Sequence, residues 1–392
     1  MAISRSQLLS RLLDRFKSTG VVCNSMVFHT EKAPTGEKRR IIFHFDMDHF
    51  FTAIEEREHP ELKDKPVIVG ADPKEGIGRG VVSTSNYLAR KFGVKSGLPI
   101  SRAWKLCPGA VYLPVNFRLY LEVSGRIMNI LRRHADKFEQ WGIDEAFLDV
   151  TAKVNDYVSA ETLAMHIKDE IYTQERLTSS VGISSNKLVA KIASDFQKPD
   201  GLTLVKEEDI EKFLAPLPVR KLLWVGRKTG QKLEDMGIKT VGDLAHHDPQ
   251  VLTDAFGEMG KQLHLMALGI DRSEVQERNW VKSISREFTF QEDTDDLDSI
   301  LRNLNMLSEE VYADALNQQL QFKTVTIKVR YSNFETHTHG KTLPFITNRL
   351  LDVQKAAQEL LQPYLKPERK IRLIGVRVSS LISSEKQRTL FQ

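Results

Sequence analysis

Two acidic stretches stand out for the chemistry their side chains could do. FHFDMDHFF at 43–51 sets Asp46 at the end of a short apolar run, and GIDEAFLDV at 142–150 sets Asp144 beside Glu145 in a segment that reads as a hairpin. Either alone is commonplace, since an acid at a strand end is often only a solvated turn and paired acids in a hairpin usually sit at the surface. Together, three carboxylates suit a specific task. Mg²⁺ takes hard oxygen ligands in octahedral geometry and is usually held by a few carboxylates plus substrate phosphates. Two such ions about 4 Å apart can activate an attacking oxygen and stabilise a departing pyrophosphate. Like-charged acids gathered without a cation would repel one another. Asp48 is a fourth acid, but it lies beyond the strand end and carries less weight.

Around these acids lie groups suited to a triphosphate. His49–Phe51 opens a helix whose first N–H groups can receive phosphate oxygens. Tyr87 and Arg90 are three apart on one helix, so a hydroxyl and a guanidinium converge on one side; Thr84 precedes them. Lys191 and Lys198 lie on or just after a helix over 186–196. Lys198 leads into Pro199-Asp200-Gly201, a turn that fixes its direction. Any of these basic residues taken singly is compatible with an ordinary solvated side chain.

The elements that must position these groups follow from pattern. Ile41–Asp46 and Pro66–Gly70 read as buried strands, Val81–Thr84 as a strand and Tyr87–Phe92 as a short helix closed by Gly93. Helices fit Phe50–Arg57, Tyr120–Ala135, Glu161–Gln174 and Asn186–Phe196. Trp141–Thr151 is the hairpin and Ser179–Ile183 a further strand. Residues 207–270 are helical with short turns, and 271–283 are polar, as in a linker. Strands over Ile284–Phe290, Thr324–Tyr331, Thr336–Leu343 and Ile371–Leu381, with helices over Leu297–Gln318 and Asn348–Gln362, suggest a small ββαβ–βα-like domain with one exposed sheet face. Residues 1–38 mix an amphipathic pattern with a polar stretch and read as an appendage.

Composition sets the frame. The chain has 392 residues, 41% hydrophobic and 28% charged, which is a globular profile. That length predicts two to four domains. No apolar run reaches the ~20 residues of a membrane span, and arginines interrupt the N-terminal apolar residues, so no signal peptide is expected. The two cysteines, Cys23 and Cys107, read as reduced thiols in a cytoplasmic protein. Net charge is +4 from 56 basic and 52 acidic residues. A nucleic-acid partner therefore requires the positive charge to be gathered on one face.

These motifs resemble the Y-family translesion DNA polymerases, in the DinB or polymerase IV branch of bacteria and archaea. The matching stretches are HFDMDHFFTAIEE (44–56), PELKDKPVIVG (60–70), VVSTSNYLARKFGVKSGLPISRAWKLCP (81–108), GIDEAFLDV (142–150) and VGISSNKLVAKIASDFQKPDGL (181–202). The resemblance runs over roughly 41–382. It implies an α+β multidomain fold: a right hand of palm, fingers and thumb, plus a C-terminal little-finger domain. The implied divisions are an N-terminal extension at 1–40, a palm of 41–49 and 116–205, and fingers over 50–115. A thumb with a helix–hairpin–helix covers 206–272, a linker 273–283, the little finger 284–382 and a clamp-binding tail 383–392.

The resemblance also implies roles. Asp46, Asp144 and Glu145 would be the catalytic carboxylates, holding two Mg²⁺ ions (Mn²⁺ able to substitute) together with the carbonyl of Met47. Phe50, Phe51, Thr84, Tyr87, Arg90 and Lys198 would contact the deoxynucleoside triphosphate. The Phe51 ring would clash with a ribose 2′-hydroxyl, and adjacent Phe50 points about 100° away. Val81 and Ser83 would form a roof of small side chains over the nascent base pair, which lowers discrimination and admits damaged bases. Gly226, Arg227 and Lys228 of the hairpin would grip primer–template DNA through its phosphates; Trp224 stands where the family usually has a first hairpin glycine. Arg286, Lys328 and Arg330 would bind DNA from the little-finger sheet, Lys328 and Arg330 sharing a face by their spacing. The tail KQRTLFQ, with Gln387, Leu390 and Phe391, resembles a sliding-clamp peptide. The expectation is a monomeric, nucleoid-associated cytoplasmic enzyme that touches no membrane. The other class considered, a non-catalytic DNA-binding accessory protein tethered to a clamp, gives the acid triad and Phe51 no task.

Overall fold

The structure, a computed structural model, describes residues 39–277 and 281–383. The appendage at 1–38 and the tail residues Gln387, Leu390 and Phe391 lie outside the described residues. In chain order the first half comprises β1 (Ile42–Met47), α1 (Phe50–Glu58), β2 (Val67–Gly70), β3 (Val82–Ser85), α2 (Tyr87–Arg90), α3 (Ile100–Leu106) and β4 (Val111–Leu113). There follow α4 (Phe117–Arg133), β5 (Lys137–Gln140), β6 (Glu145–Asp149), α5 (Tyr157–Glu175), β7 (Ser179–Ser184), α6 (Lys187–Ser194) and β8 (Leu202–Leu204).

β1 is the middle of a five-stranded sheet ordered β5-β6-β1-β7-β8. Its sequence, IFHFDM, is buried apart from half-buried Asp46, because both sheet faces are covered. Alternation sends Phe43, Phe45 and Met47 into a core shared with Tyr120, Val123 and Ile127 of α4 and with Ala160, Ala164 and Ile167 of α5. Burying each phenylalanine contributes about 1.5–3 kcal/mol. The opposite face receives α6, where the Cβ of any residue replacing Gly182 would come within 1.9 Å of the Ala190 carbonyl oxygen. Only a glycine there lets α6 lie this close to the sheet. β2, β3 and β4 form a separate three-stranded sheet, ordered β3-β2-β4.

The second half begins with α7 (Ile210–Leu214), α8 (Arg227–Asp235), α9 (Val241–His246), α10 (Pro249–Phe256) and α11 (Glu258–Ala267), packed around Leu214, Leu233, Leu244 and Leu263. The segment after α11 is not a free tether. Val275 is 1% exposed, in a cluster with Ile42, Phe147 and Ala190. A buried pair, Lys187–Glu139 at 2.6 Å, lies beneath it, and Glu139 accepts from the Gln276 N–H at 3.2 Å. Asp271 accepts from the Leu188 N–H at 3.0 Å. Residues 271–277 therefore run along the five-stranded sheet, although their polarity suggested a linker.

The last module is β9 (Ser283–Thr294), α12 (Leu297–Asn317), β10 (Leu320–Tyr331), β11 (Thr336–Thr347), α13 (Leu350–Leu361), β12 (Ile371–Ser379) and the short β13 (Ile382–Ser383). The order is β-α-β-β-α-β, which corrects the ββαβ–βα-like expectation. The sheet is ordered β11-β10-β12-β9, with β13 added to β10. Both helices cover one face: Leu304, Leu307 and Val311 of α12 and Val353, Ala357 and Leu361 of α13 meet Val325, Ile327, Val329 and Ile374. The other face is open. Arg79, in the loop before β3, donates to Asp293 at 2.5 Å and to the Phe290 carbonyl at 3.0 Å, which ties the end of β9 to the small sheet.

Candidate active site

Pairing of β1 with β6 sets Asp46 directly opposite Glu145. The Met47 N–H donates to the Asp144 carbonyl at 3.0 Å, so the turn that ends in Asp144 is fastened to the same strand end. The sheet thus brings together all three carboxylates that the sequence singles out. The turn is held from several sides. Trp141 and Gly142 N–H groups donate to the Glu145 carbonyl at 3.0 and 3.2 Å, Gln140 donates to the Gly142 carbonyl at 2.9 Å, and the Ser124 hydroxyl of α4 donates to the Ile143 carbonyl. Gly142 matters for space. A Cβ there would lie 3.0 Å from Glu145 Cγ and 3.5 Å from an Asp144 carboxylate oxygen.

Cations and an imidazole face these acids. Lys198 Nζ is 2.6 Å from Asp46 Oδ1 and 3.1 Å from Asp195, while Lys191 donates to Glu145. His44, two residues before Asp46 and so on the same face, is fully buried, with Nδ1 2.8 Å from Ser194 Oγ. Its Nε2 faces Glu145 Oε2 at 3.2 Å. Sequence reasoning missed His44, Ser194 and Gly142; a histidine within an apolar run reads as packing, and only its parity with Asp46 gives it away.

The electrostatics separate the three acids. Burial, reinforced by Asp46 and Glu145, pushes Asp144 up to about 6. Burial also raises Asp46, against the pull of Lys198. For Glu145 burial works upward, but His44 and Lys191 outweigh it and hold the carboxyl down to about 2. Burial keeps His44 below its usual range, hence neutral at pH 7. Two unlike solutions for neighbouring carboxyls are expected where negative charge is concentrated for a purpose.

The donor set fits hard divalent cations. One ligand atom each from His44, Asp46 and Glu145 lie within 4.8 Å of one another. Carboxylate oxygens predominate once Asp144 is included, as Mg²⁺ prefers.

Asp48 belongs to the frame. It is 1% exposed and accepts from Thr178 and Ser180 hydroxyls and the Asp200 N–H, each at 2.8 Å, and from Tyr87 at 3.3 Å. It thereby aims the turn after Lys198 at the acids. Tyr87, pushed up to about 12 by burial and by Asp48, is a neutral hydroxyl donor. The Arg90 guanidinium lies over its ring at 4.7 Å and donates to the Ser85 carbonyl at 2.9 Å.

α1 starts at Phe50 with no side-chain cap on its first turn. Phe50, expected beside the nucleotide, has its ring 2% exposed in the sheet core; its backbone N–H at the helix start is what it can offer a phosphate. Phe51 is half-buried, stacked on Tyr120 at 4.3 Å and 13°. Tyr120 is itself anchored to Glu55 at 2.5 Å. Thr84 and Ser83 are half-buried on β3, and Val81 is 50% exposed just before it.

In the helical region Gly226 precedes α8, with Arg227 and Lys228 exposed in its first turn. Trp224 adopts φ 68°, the left-handed region that favours glycine, and is 65% exposed. Its ring meets Trp141 edge-on at 6.2 Å, so this hairpin touches the turn carrying Asp144. On the open sheet face, Lys328 pairs with Glu287 at 2.7 Å and Arg330 donates to Thr336 at 2.8 Å. Arg377 pairs in register with Thr326 and joins them. Arg286 does not. It is opposite Val376, on the helix-covered side, and pairs with Asp314 of α12. Grouping it with Lys328 and Arg330 is corrected: its parity matches buried Ile284.

Comparison with known proteins finds relatives over most of the chain. Residues 45–195 match the impB/mucB/samB family, 281–390 its C-terminal domain, and 221–271 the DNA polymerase-iota thumb domain. The chain is 48% identical to DNA polymerase IV 2 of Methanosarcina mazei over 353 residues, covering 90% of this chain and 95% of the relative. It is 51% identical to DNA polymerase IV of Methanoculleus marisnigri, over 87% and 94% of the two chains. Among solved structures, the Y-family DNA polymerase chimera Dbh-Dpo4(243-245)-Dbh matches with TM-score 0.80 and 32% identity, covering 88% of this chain and 100% of that one. The insertion ternary complex of Dbh DNA polymerase matches with TM-score 0.63 and 31% identity over the same shares.

Proposed function

The chain belongs to the Y-family DNA polymerases, in the branch named DNA polymerase IV, and from that premise we propose how its own residues carry the reaction. It is a DNA-directed DNA polymerase that extends a primer on a template and copies past damaged bases. In the reaction the primer 3′-oxygen bonds to the α-phosphorus, the α–β phosphate bond breaks, and pyrophosphate leaves.

Asp46, Asp144 and Glu145 are the groups that would hold two divalent cations, Mg²⁺ in our reading with Mn²⁺ as a substitute, and Met47 would add its carbonyl. Bound cations supply the charge that activates the primer hydroxyl and stabilises the leaving pyrophosphate. The observation that carries this reading is the meeting of three carboxylates at adjacent strand ends. Lys198 then exchanges its Asp46 partner for the triphosphate, where Tyr87, Arg90 and Thr84 and the N–H groups opening α1 join it. The Phe51 ring, backed by Tyr120, blocks a ribose 2′-hydroxyl, and Val81 and Ser83 leave room above the base pair. Gly226, Arg227, Lys228, Lys328 and Arg330 grip DNA phosphates without reading sequence. The divisions into palm, fingers, thumb and little finger are those given from the sequence.

The test is primer extension with Mg²⁺ and four deoxynucleotides on intact and damaged templates. The wild type extends both and Asp144→Ala neither; equal extension by the variant would remove the acids from their role. We also infer that Gln387, Leu390 and Phe391 dock on a sliding clamp. Removing 387–392 should leave basal extension unchanged and abolish stimulation by the clamp, whereas persistent stimulation would reject the tail. A monomer in the cytoplasm, associated with the nucleoid, completes the reading.

A further inference from the structure

A second cluster of metal-binding side chains lies away from the carboxylates just described. His134 follows the last turn of α4, and His166 and Glu170 are four apart on α5, so they share one face of that helix. One ligand atom from each of the three lies within 4.8 Å of the other two. The His134 and His166 rings stand 5.6 Å apart at 86°, and His134 Nε2 is 2.7 Å from Glu170 Oε2. The Glu170 carboxylate is oriented. Its Oε1 accepts from Arg133 at 2.6 Å and Gln174 at 2.9 Å, which leaves Oε2 to His134. Outer donors of this kind fix how a carboxylate presents itself to a metal. His134 and Glu170 side chains are 20% and 19% exposed, enough for water to complete a coordination sphere.

We propose that His134, His166 and Glu170 form a transition-metal site of the zinc class. Two imidazoles and one carboxylate suit Zn²⁺, Co²⁺ or Ni²⁺ rather than Mg²⁺, which wants oxygen. The site is distinct in chemistry and in place from the one at Asp46. α4 and α5 lie against the sheet face that receives Phe43 and Phe45, opposite the face of His44 and Asp46. A metal here takes no part in nucleotidyl transfer; it staples the end of α4 to the middle of α5. Arg133 reduces the affinity by its charge while aiming the carboxylate, so the site is reversible rather than permanently filled.

The test is titration of the tag-free, chelator-treated full chain with Co²⁺ in excess Mg²⁺, read by visible absorption, with Zn²⁺ competition. The expected result is one equivalent of Co²⁺ with a visible band, displaced by Zn²⁺, and a Tm that rises with metal. His166→Ala should weaken binding by at least about tenfold, and Gln174→Ala by about tenfold through its loss as an outer donor. Asp144→Asn should bind Co²⁺ as the wild type does. Because His166 is exposed, metal-free His166→Ala should melt with the wild type, so lost binding would not reflect lost folding. A wild type without the band, or His166→Ala and His134→Ala binding Co²⁺ as tightly as the wild type, would overturn the site.

Discussion

The two large sheets handle polar side chains in opposite ways. In the β5-β6-β1-β7-β8 sheet the polar groups around the acids sit at or under the surface and several have fixed partners. Asp48 has four donors, His44 has Ser194, and Asp46 and Glu145 have lysines. In the β11-β10-β12-β9 sheet the strands are long, one face is open, and its cations are tied only to neighbours such as Glu287 and Thr336. A partly buried constellation tied down by several hydrogen bonds and ion pairs holds its geometry closely, as phosphoryl transfer requires. A half-exposed row of cations holds charge with little fixed geometry, which suits a partner recognised by its phosphates whatever its sequence. On the proposed reading, accuracy of placement is concentrated where bonds change, and tolerance where DNA slides.

Replacement of the acids should break the comparison most severely. Asp46→Ala or Asp144→Ala should lower kcat on the order of 10³-fold or more, about 4 kcal/mol or more in the barrier, measured by single-nucleotide incorporation. Next in size, Phe51→Ala should reduce discrimination against ribonucleotides by about 100-fold, read as the ratio of kcat/KM for the two sugars. Unchanged selectivity would remove the Phe51 ring from that role.

A smaller effect separates stability from activity. Asp144 has its folded pKa raised to about 6 from 3.8. Such a group stabilises the fold below its unfolded pKa, and that contribution is lost as pH rises through about 6. In chelator at about pH 8, Asp144→Asn should therefore be more stable than the wild type, by about 3 kcal/mol, and the two should converge below about pH 4. Urea unfolding at the two pH values checks this; greater stability of the wild type at pH 8 would contradict the charge crowding. Metal binding needs the ionised carboxyl, so the apparent Mg²⁺ affinity of the free enzyme should weaken as pH falls below about 6.

The open sheet should respond least. Lys328→Ala and Arg330→Ala should each weaken DNA binding several-fold and make the salt dependence shallower by roughly one unit of slope. Arg286→Ala, on the covered side, should leave that slope unchanged. Equal slopes for all three variants would erase the distinction between the faces.

Legibility in the sequence followed the same division. In the last module, alternation and helical spacing gave every long strand and both helices, because each strand has one wet and one dry face. Arg286 was misplaced although the needed signal was present: it shares parity with Ile284, whereas Lys328 and Arg330 alternate with Ile327 and Val329. In the five-stranded β5-β6-β1-β7-β8 sheet both faces are covered, so alternation is muted and His44 hides among apolar neighbours. The meeting of Asp46 with Asp144 and Glu145 depends on long-range strand pairing, which spacing does not encode; resemblance to a known family supplied it. The order of β9 to β12 and the docking of 271–277 through Val275 likewise arise from tertiary packing.

The central claim is that Asp46, Asp144 and Glu145 jointly hold divalent cations beside an incoming triphosphate. Anomalous diffraction from crystals of the enzyme with primer–template, a non-reactive deoxynucleotide analogue and Mn²⁺ tests it directly. Two Mn²⁺ peaks about 4 Å apart, in contact with oxygens of all three carboxylates and of the triphosphate, are the predicted result. Peaks bound to the triphosphate alone, with Asp144 and Glu145 turned away, would contradict it.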